Sequence, residues 1–278
     1  MEEFNPIIEV GDDGLSAPSV GIWSQKKYKL VGGYAHLFTK SMRKKWQQLV
    51  YIDLFAGSGY TKISGTNKIL KTSPLIALSI TTKFDKYIFC EYNEKKLNAL
   101  RDRVKREFPD ENVEFILGDS NCKANEIRDK IPKYSKDNKV LSFCFVDPYS
   151  LDLYFNTIRN LSQNLMDFLI LHALHMDANR NLHNYISEHN QKIANFLGEE
   201  EWREKFRKSD SNLIKFLADT YDSKMKELNY LDPHRIQIRS NKKNLPLYYL
   251  SFYSRHQLGN KFIKDVEKYS DDQLNLMF

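Results

Sequence analysis

The chain has 278 residues, of which 41% are hydrophobic and 28% charged, and a formal net charge of +6. That balance excludes a disordered, collagen-like or coiled-coil chain, and the length suits one α/β domain carrying an insertion. No apolar run reaches the ~18 residues of a membrane span, and the N-terminal acids Glu2, Glu3, Asp12 and Asp13 are unlike a signal peptide, so a cytoplasmic protein without membrane contact is expected.

Polar residues 1–20 show no periodicity and are expected to be loose. Residues 23–46 read as helical, with an interruption at Gly32-Gly33, where helix propensity is poor. Between residues 14 and 52 stand Lys26, Lys27, Lys29, Lys40, Arg43, Lys44 and Lys45 with no acid among them. Such a block can neutralise nucleic-acid phosphates, which makes Lys44 and Lys45 candidate substrate contacts. It equally suits a solvated helix face balanced by acids elsewhere.

The apolar run 50–55 closed by Ala56-Gly57-Ser58-Gly59 has the pattern of a buried parallel strand ending in a glycine turn. Its helix is delayed to Ser73-Pro74, with Ser73 as the expected cap and Pro74 at the first helical position, so residues 60–72 form a long loop that could serve as a lid. A second strand, 87–90, ends at Glu91, and Asn93 caps a helix with the apolar seam Leu97, Leu100, Val104 and Phe108. A third, 113–117, ends at Gly118-Asp119 and leads into a polar helical stretch through Ile127. A fourth, 140–146, ends at Asp147-Pro148-Tyr149, with a helix expected over 151–161.

After a fifth strand at 168–171, about 60 helical-looking residues are too many for a simple crossover. Phe196, Trp202, Phe206, Leu213, Phe216, Leu217, Tyr221 and Leu228 there suit a helical cap over a sheet. Residues 235–239 and 247–253 then read as a terminal hairpin whose turn holds Lys242 and Lys243. One domain is expected, with a helical segment 1–48, a βα core 49–173, a helical insertion 174–232 and a hairpin with helix 233–278. Its fold class is α/β, a Rossmann-like, doubly wound, seven-stranded and mostly parallel sheet with a reversed last strand.

In such sheets ligands bind at the carboxyl ends of the strands, where Asp53, Glu91, Asp119 and Asp147 all fall. The turn Asp53-Leu54-Phe55-Ala56-Gly57-Ser58-Gly59 lets the backbone approach a ligand closely. Glu91 can accept from both hydroxyls of a ribose, and Asp119 can accept from an exocyclic adenine amine. A nucleotide-bearing cofactor follows, with Asp53, Phe55, Ala56, Gly57, Gly59, Glu91, Asp119 and Ser120 as its candidate contacts.

Asp147-Pro148-Tyr149 supplies acceptors for an amine and a flat face for stacking an extruded base. Lys242 and Lys243, on the same side of the sheet, could meet phosphates. Two histidines, His172 and His175, without a third ligand are read as structural, so no metal is expected. Cys90, Cys122 and Cys144 fit no zinc spacing and read as reduced thiols.

The layout with a reversed seventh strand resembles Rossmann-like methyltransferases. The glycine turn together with Asp147-Pro148-Tyr149 resembles the amino-methyltransferases, whose usual motif carries a second proline. Its single-proline spelling is closer to that of transfer-RNA guanine N2-methyltransferases. A more extensive resemblance, over most of residues 23–265, is to the bacterial three-Cys-motif partner family. It rests on Trp23-Ser24 with Lys27, Tyr51 to Gly59, Thr72 to Leu78, Gly118-Asp119-Ser120-Asn121, Val146 to Tyr149, and Leu247 to Leu250 through His256 and Gly259. These resemblances imply S-adenosyl-L-methionine as cofactor, Lys27 facing its methionine carboxylate, transfer to an amine of a nucleobase, nucleic acid as partner, and a genomically linked three-Cys-motif protein.

Overall fold

The computed structural model describes residues 4–175, 182–187, 189–240 and 244–275. In chain order the elements are β1 (Glu9–Val10), β2 (Ser19–Val20), α1 (Ser24–Met42), β3 (Gln48–Asp53), β4 (Tyr60–Ile63), β5 (Ile69–Lys71), α2 (Ser73–Ser79) and β6 (Lys86–Glu91). They continue with α3 (Glu94–Glu107), β7 (Val113–Leu117), α4 (Ser120–Lys130), β8 (Val140–Val146), α5 (Phe155–Leu161) and β9 (Met166–His172). The last are α6 (Leu182–Ile186), α7 (Lys192–Leu197), α8 (Trp202–Arg207), α9 (Leu213–Glu227), β10 (His234–Arg239), β11 (Pro246–Tyr253) and α10 (Gln257–Asn275).

Seven strands form the main sheet in the order β7-β6-β3-β8-β9-β11-β10. Pairings β3 with β6 and β8, β6 with β7, and β8 with β9 are parallel, whereas β11 runs antiparallel to both β9 and β10. Successive strand residues face opposite sides, and both sides are apolar because both are covered. Leu49, Tyr51, Tyr87, Phe89, Phe143 and Phe145 pack with Leu30, Tyr34 and Phe38 of α1 and Ile263 of α10. Val50, Ile52, Ile88, Cys90 and Cys144 face Ile127 of α4, Ile158 of α5, Phe196 of α7 and Leu217 and Tyr221 of α9. The expected helical cap is therefore present, with Trp202 fully buried in it.

The expected interruption of α1 is absent, because its two glycines serve packing. A Cβ on Gly32 would stand 2.6 Å from Pro6 Cβ and 2.7 Å from Ile76 Cγ2, and one on Gly33 would stand 2.7 Å from Val266 Cγ1. Close approach of neighbouring segments outweighs the roughly 1 kcal/mol propensity cost of each glycine. The described part of the N-terminal segment is also ordered. It supplies β1 and β2 to a small second sheet, order β1-β5-β4-β2.

That second sheet replaces the expected long loop: residues 60–71 make the antiparallel hairpin of β4 and β5, with Tyr60 opposite Lys71. Thr72, not Ser73, occupies the cap position of α2, Ser73 lies buried in the first turn, and the Thr72 side chain makes no capping bond. Asn93 does cap α3, accepting from the Lys96 amide at 3.0 Å. Among the described residues, no helix is long and apolar enough to cross a membrane.

Candidate active site

A cavity of about 1290 Å³ opens at the carboxyl ends of β3, β6, β7 and β8. Residues 18–21 wall it on one side, the start of α1 on another, and residues 189–192 on a third. Lys27, Phe55, Ala56, Gly57, Glu91, Asp119, Ser120, Asp147, Pro148 and Tyr149 all line it. The structure thus gathers ten of the residues singled out from sequence.

The turn after β3 holds Gly57 at φ +66°, a conformation that favours glycine. Nothing stands within 4 Å of where its Cβ would be, which leaves room beside the turn for a ligand. Glu91 anchors this turn: its Oε2 accepts from the Gly57 amide and its Oε1 from the Asn93 amide, each at 2.8 Å. Asp119 caps α4 by accepting from the Asn121 amide at 2.9 Å. The hydroxyls of Ser120 and Thr72, both on the cavity wall, are buried without a hydrogen-bond partner.

On the opposite wall Lys27 Nζ lies 2.5 Å from Asp147 Oδ2. Burial opposes the charge of Lys27, but the adjacent Asp147 carboxylate more than offsets it and raises the pKa of the ammonium. Tyr28 and Tyr248 complete the pocket around this pair, both with phenols raised by burial, and the Tyr248 hydroxyl has no hydrogen-bond partner. Lys27 was expected to face a cofactor carboxylate. In the structure it lines the cavity, with its ammonium paired to the carboxylate of Asp147.

The segment after β8 is a loop as far as Tyr154, shortening the helix expected over 151–161, and Asn121 fastens it. Asn121 Nδ2 donates to the Asp152 carbonyl at 2.8 Å, while its Oδ1 accepts from the Tyr154 amide at 2.9 Å and the Thr157 hydroxyl at 2.8 Å. This fixed loop holds Tyr149 at the cavity mouth, 97% exposed. Tyr92, directly after Glu91, is 78% exposed on the same rim.

Other candidates are placed elsewhere. Asp53 is completely buried and does not line the cavity; it accepts from the Tyr51 hydroxyl and the Phe55 amide, each at 3.3 Å. Burial, with the charge of Asp147 adding to it and a hydrogen bond from Ser73 opposing, lifts its carboxyl to about 7. Gly59, at φ +87°, is a packing glycine whose Cβ would stand 2.8 Å from Leu75 Cδ1 and 2.9 Å from Leu100 Cδ1.

Lys44 and Lys45 follow the far end of α1, about 28 Å along the helix from its cavity end, and Gln47 next to them bonds the Lys139 carbonyl at the amino edge of the sheet. The basic block is also partly neutralised, since Lys27 pairs with Asp147 and Arg43 with both oxygens of Asp85. Lys242 and Lys243 lie outside the described residues. His172 is buried among Tyr221, Phe196 and Tyr253, and burial first, then Arg235, depresses its pKa to about 3.

Tyr28, Tyr92 and residues 18–21 were not singled out from sequence, and Thr72 and Tyr248 stood only within the matched motifs, with no role at the site. Only Tyr92 had a positional signal, its place immediately after the strand-end acid. The others reach the cavity through tertiary packing.

No family model matches the chain, and no curated protein matches it. Among solved structures it is similar to protein LPL1258 of Legionella pneumophila, of the family-model DUF519, with a TM-score of 0.54 and 12% identity over 87% of this chain and 91% of that one. An O-methyltransferase from Bacillus cereus in complex with SAH gives a TM-score of 0.45 and 12% identity, with 80% of each chain covered. The O-methyltransferase TomG from Streptomyces achromogenes, in complex with SAM, gives 0.44 and 10% identity over 81% of this chain and 79% of that one. The first likeness establishes a shared fold, in agreement with the Rossmann-like sheet order and its reversed strand.

Proposed function

We propose that this protein is an S-adenosyl-L-methionine-dependent methyltransferase whose acceptor is an exocyclic amine of a nucleobase in DNA or RNA. The observation that carries this reading is the placing of Asp147-Pro148-Tyr149, with Tyr149 97% exposed, at the mouth of the cavity that also gathers Gly57, Glu91 and Asp119. An exposed tyrosine at a cavity mouth is costly in no way except solvation and offers a platform for a base drawn out of its stack. The resemblance to the three-Cys-motif partner family supports the same cofactor and suggests a genomically linked partner protein.

The residues present fit the cofactor. Glu91 retains acceptor capacity for a ribose diol beyond its two backbone bonds, and the unpartnered hydroxyls of Ser120 and Thr72 are free to pair with polar atoms of a ligand. Open space beside Gly57 admits a close approach to the turn. When bound, the cofactor supplies an electrophilic methyl group on a sulfonium.

The chain's own part is positioning. Asp147 accepts from an amine N–H and so aims the nitrogen lone pair, while Lys27 holds the carboxylate in place through Oδ2. Tyr149 stacks on the base, and the proline between them fixes the backbone angle of the turn. The acceptor nitrogen loses one proton on methylation, and the Asp147 carboxylate that accepts its N–H would take it.

A methyl-transfer assay with labelled S-adenosyl-L-methionine on pooled DNA and RNA tests the reading. Transfer by the wild-type chain and a loss of about 100-fold or more in Asp147→Ala are expected; unchanged turnover in that variant would remove Asp147 from the mechanism. A second reading, a methyltransferase-like module that binds nucleic acid or a partner protein without catalysis, is favoured by one observation: Lys27 already occupies an oxygen of Asp147. Retention of nucleic acid with no transfer under any condition tested would select it.

A further inference from the structure

Arg103 of α3 has a completely buried side chain, yet it carries a full charge. A buried guanidinium is tolerated only where its donors are satisfied. Nε and Nη2 grip both oxygens of Asp13 at 2.9 and 2.6 Å, and Nη1 donates to two carbonyls, Ser16 at 2.9 Å and Ser58 at 2.6 Å. The guanidinium lies 3.9 Å from the centroid of the Tyr60 ring. Arg106, one helical turn along, adds a second contact to Asp13 at 2.9 Å.

These partners belong to two different walls of one cavity. Ser58 is in the glycine turn, next to Gly57, whose amide is held by Glu91. Asp13 and Ser16 begin a strap that continues through Pro18, Ser19, Val20 and Gly21, all lining the cavity. Further along, the strap is sewn to the hairpin: the Thr61 hydroxyl and the Lys62 amide both donate to the Pro18 carbonyl, at 2.6 and 3.0 Å, and the Ser64 amide donates to the Val20 carbonyl at 2.8 Å. Gly21 then turns under Trp23, with its ring atoms 2.3 Å from where a Cβ would be.

We propose that Arg103 is a positioning residue for the cofactor site: it locks the strap 13–21 to the glycine turn at Ser58, so that both walls meet the bound cofactor as one rigid unit. This rests on the cofactor reading given above. Glu91 fixes the amide side of the turn and Arg103 its carbonyl side, so neither peptide plane can rotate when a ligand arrives. A preformed wall binds more tightly because less ordering is left to be done on binding. Loss of the lock leaves the cavity's chemistry intact but frees one wall, and the effect falls on how long the cofactor stays.

The test uses the full chain and S-adenosyl-L-methionine itself. Arg103→Lys keeps the charge and loses the fork; Asp13→Asn keeps the shape and loses the charge on the strap. Affinity by calorimetry and dissociation rate by stopped flow are measured well below the melting temperature of each protein, together with proteolysis of the strap with and without cofactor. A weakening of about tenfold or more in both variants, carried mainly by faster dissociation and accompanied by loss of cofactor-dependent protection of the strap, is expected.

A purely structural arginine would lower the melting temperature without moving these readouts. Affinities within about twofold of wild type in folded variants overturn the proposal. If Arg103→Lys does not fold, Asp13→Asn decides alone. If the wild-type chain binds no S-adenosyl-L-methionine, the cofactor reading itself has failed, an outcome distinct from equal binding by wild type and variants.

Discussion

Lys27 Nζ stands 2.5 Å from Asp147 Oδ2, joining the first turn of α1 to the end of β8 across 120 residues of the sequence. The lysine side chain is the more buried of the two. Removing one partner of such a pair strands the other charge in a poorly solvated place, at a cost of about 3–5 kcal/mol, whereas removing both is far milder. Lys27→Met is therefore expected to lose stability of that order in urea unfolding, and the double variant Lys27→Met with Asp147→Asn to recover most of it. A single variant within about 1 kcal/mol of wild type would show that the pair is weak and solvent-screened.

Glu91 is expected to matter twice, through the turn it anchors and through the cofactor. In Glu91→Gln one side-chain oxygen becomes an NH2, which sets a donor against either the Gly57 or the Asn93 amide. Loss of the charge-assisted bonding corresponds to about 1.5–3 kcal/mol, or roughly 10- to 150-fold in affinity for S-adenosyl-L-methionine and for adenosine alike, since the ribose is common to both. Calorimetry with the two ligands checks this, and an unchanged affinity for either removes Glu91 from the ribose contact.

Much of this arrangement was legible in the chain. Parallel strands covered on both faces must be apolar throughout, so β3, β6, β8 and β9 stand out as continuous runs, and a polar residue closing each run marks the ligand edge. Glu91 and Asp147 were found that way, and Asp119 at the close of the shorter edge strand β7. Asp53 obeys the same pattern yet points into the protein, because facing direction is set by neighbours such as Tyr51 and Ser73 and not by position at a strand end.

The strap was illegible for a different reason. Strands of two residues, such as Glu9–Val10 and Ser19–Val20, are too short to show alternation, and what orders them is pairing with β5 and β4 together with the grip on Asp13, between them, of Arg103 some 90 residues away in the chain. Gly32 and Gly33 misled in the opposite sense: poor helix formers by propensity, they are kept by contacts with Pro6, Ile76 and Val266 that no local pattern records.

Asp53 makes stability depend on pH in a direction opposite to most carboxylates. Its folded pKa is lifted to about 7, from an ordinary value of 3.8. Between those values the folded chain holds a proton that the unfolded chain has released, so stability falls as pH rises from about 4 to about 7 and stays lower above that. Asp53→Asn cannot titrate. Its stability relative to wild type should therefore grow by a few kcal/mol across that window and then level off. His172, depressed to about 3, acts in the other sense below its ordinary 6.5, but it is present in both proteins and cancels. Urea unfolding of both proteins at about pH 5 and about pH 8 makes the comparison, and a gap that does not change with pH sinks the assignment.

Tyr149 separates a base-binding surface from any other kind of acceptor site. At 97% exposure it makes no packing contribution of consequence, so Tyr149→Ala should leave stability within about 0.5 kcal/mol of wild type. Affinity for S-adenosyl-L-methionine should not change either, since Glu91, Asp119 and the glycine turn are untouched. What should change is affinity for single-stranded nucleic acid, by about 1–3 kcal/mol for one lost stacking platform. Tyr149→Phe or Tyr149→Trp should retain it, because every aromatic ring offers a face, while loss of a hydroxyl contact would instead make Phe behave like Ala. Fluorescence anisotropy with a labelled oligonucleotide at fixed salt reads the difference. If Ala, Phe and wild type bind alike, the exposed ring does not stack on a base, and the search for an acceptor should turn from nucleic acids to amines on proteins.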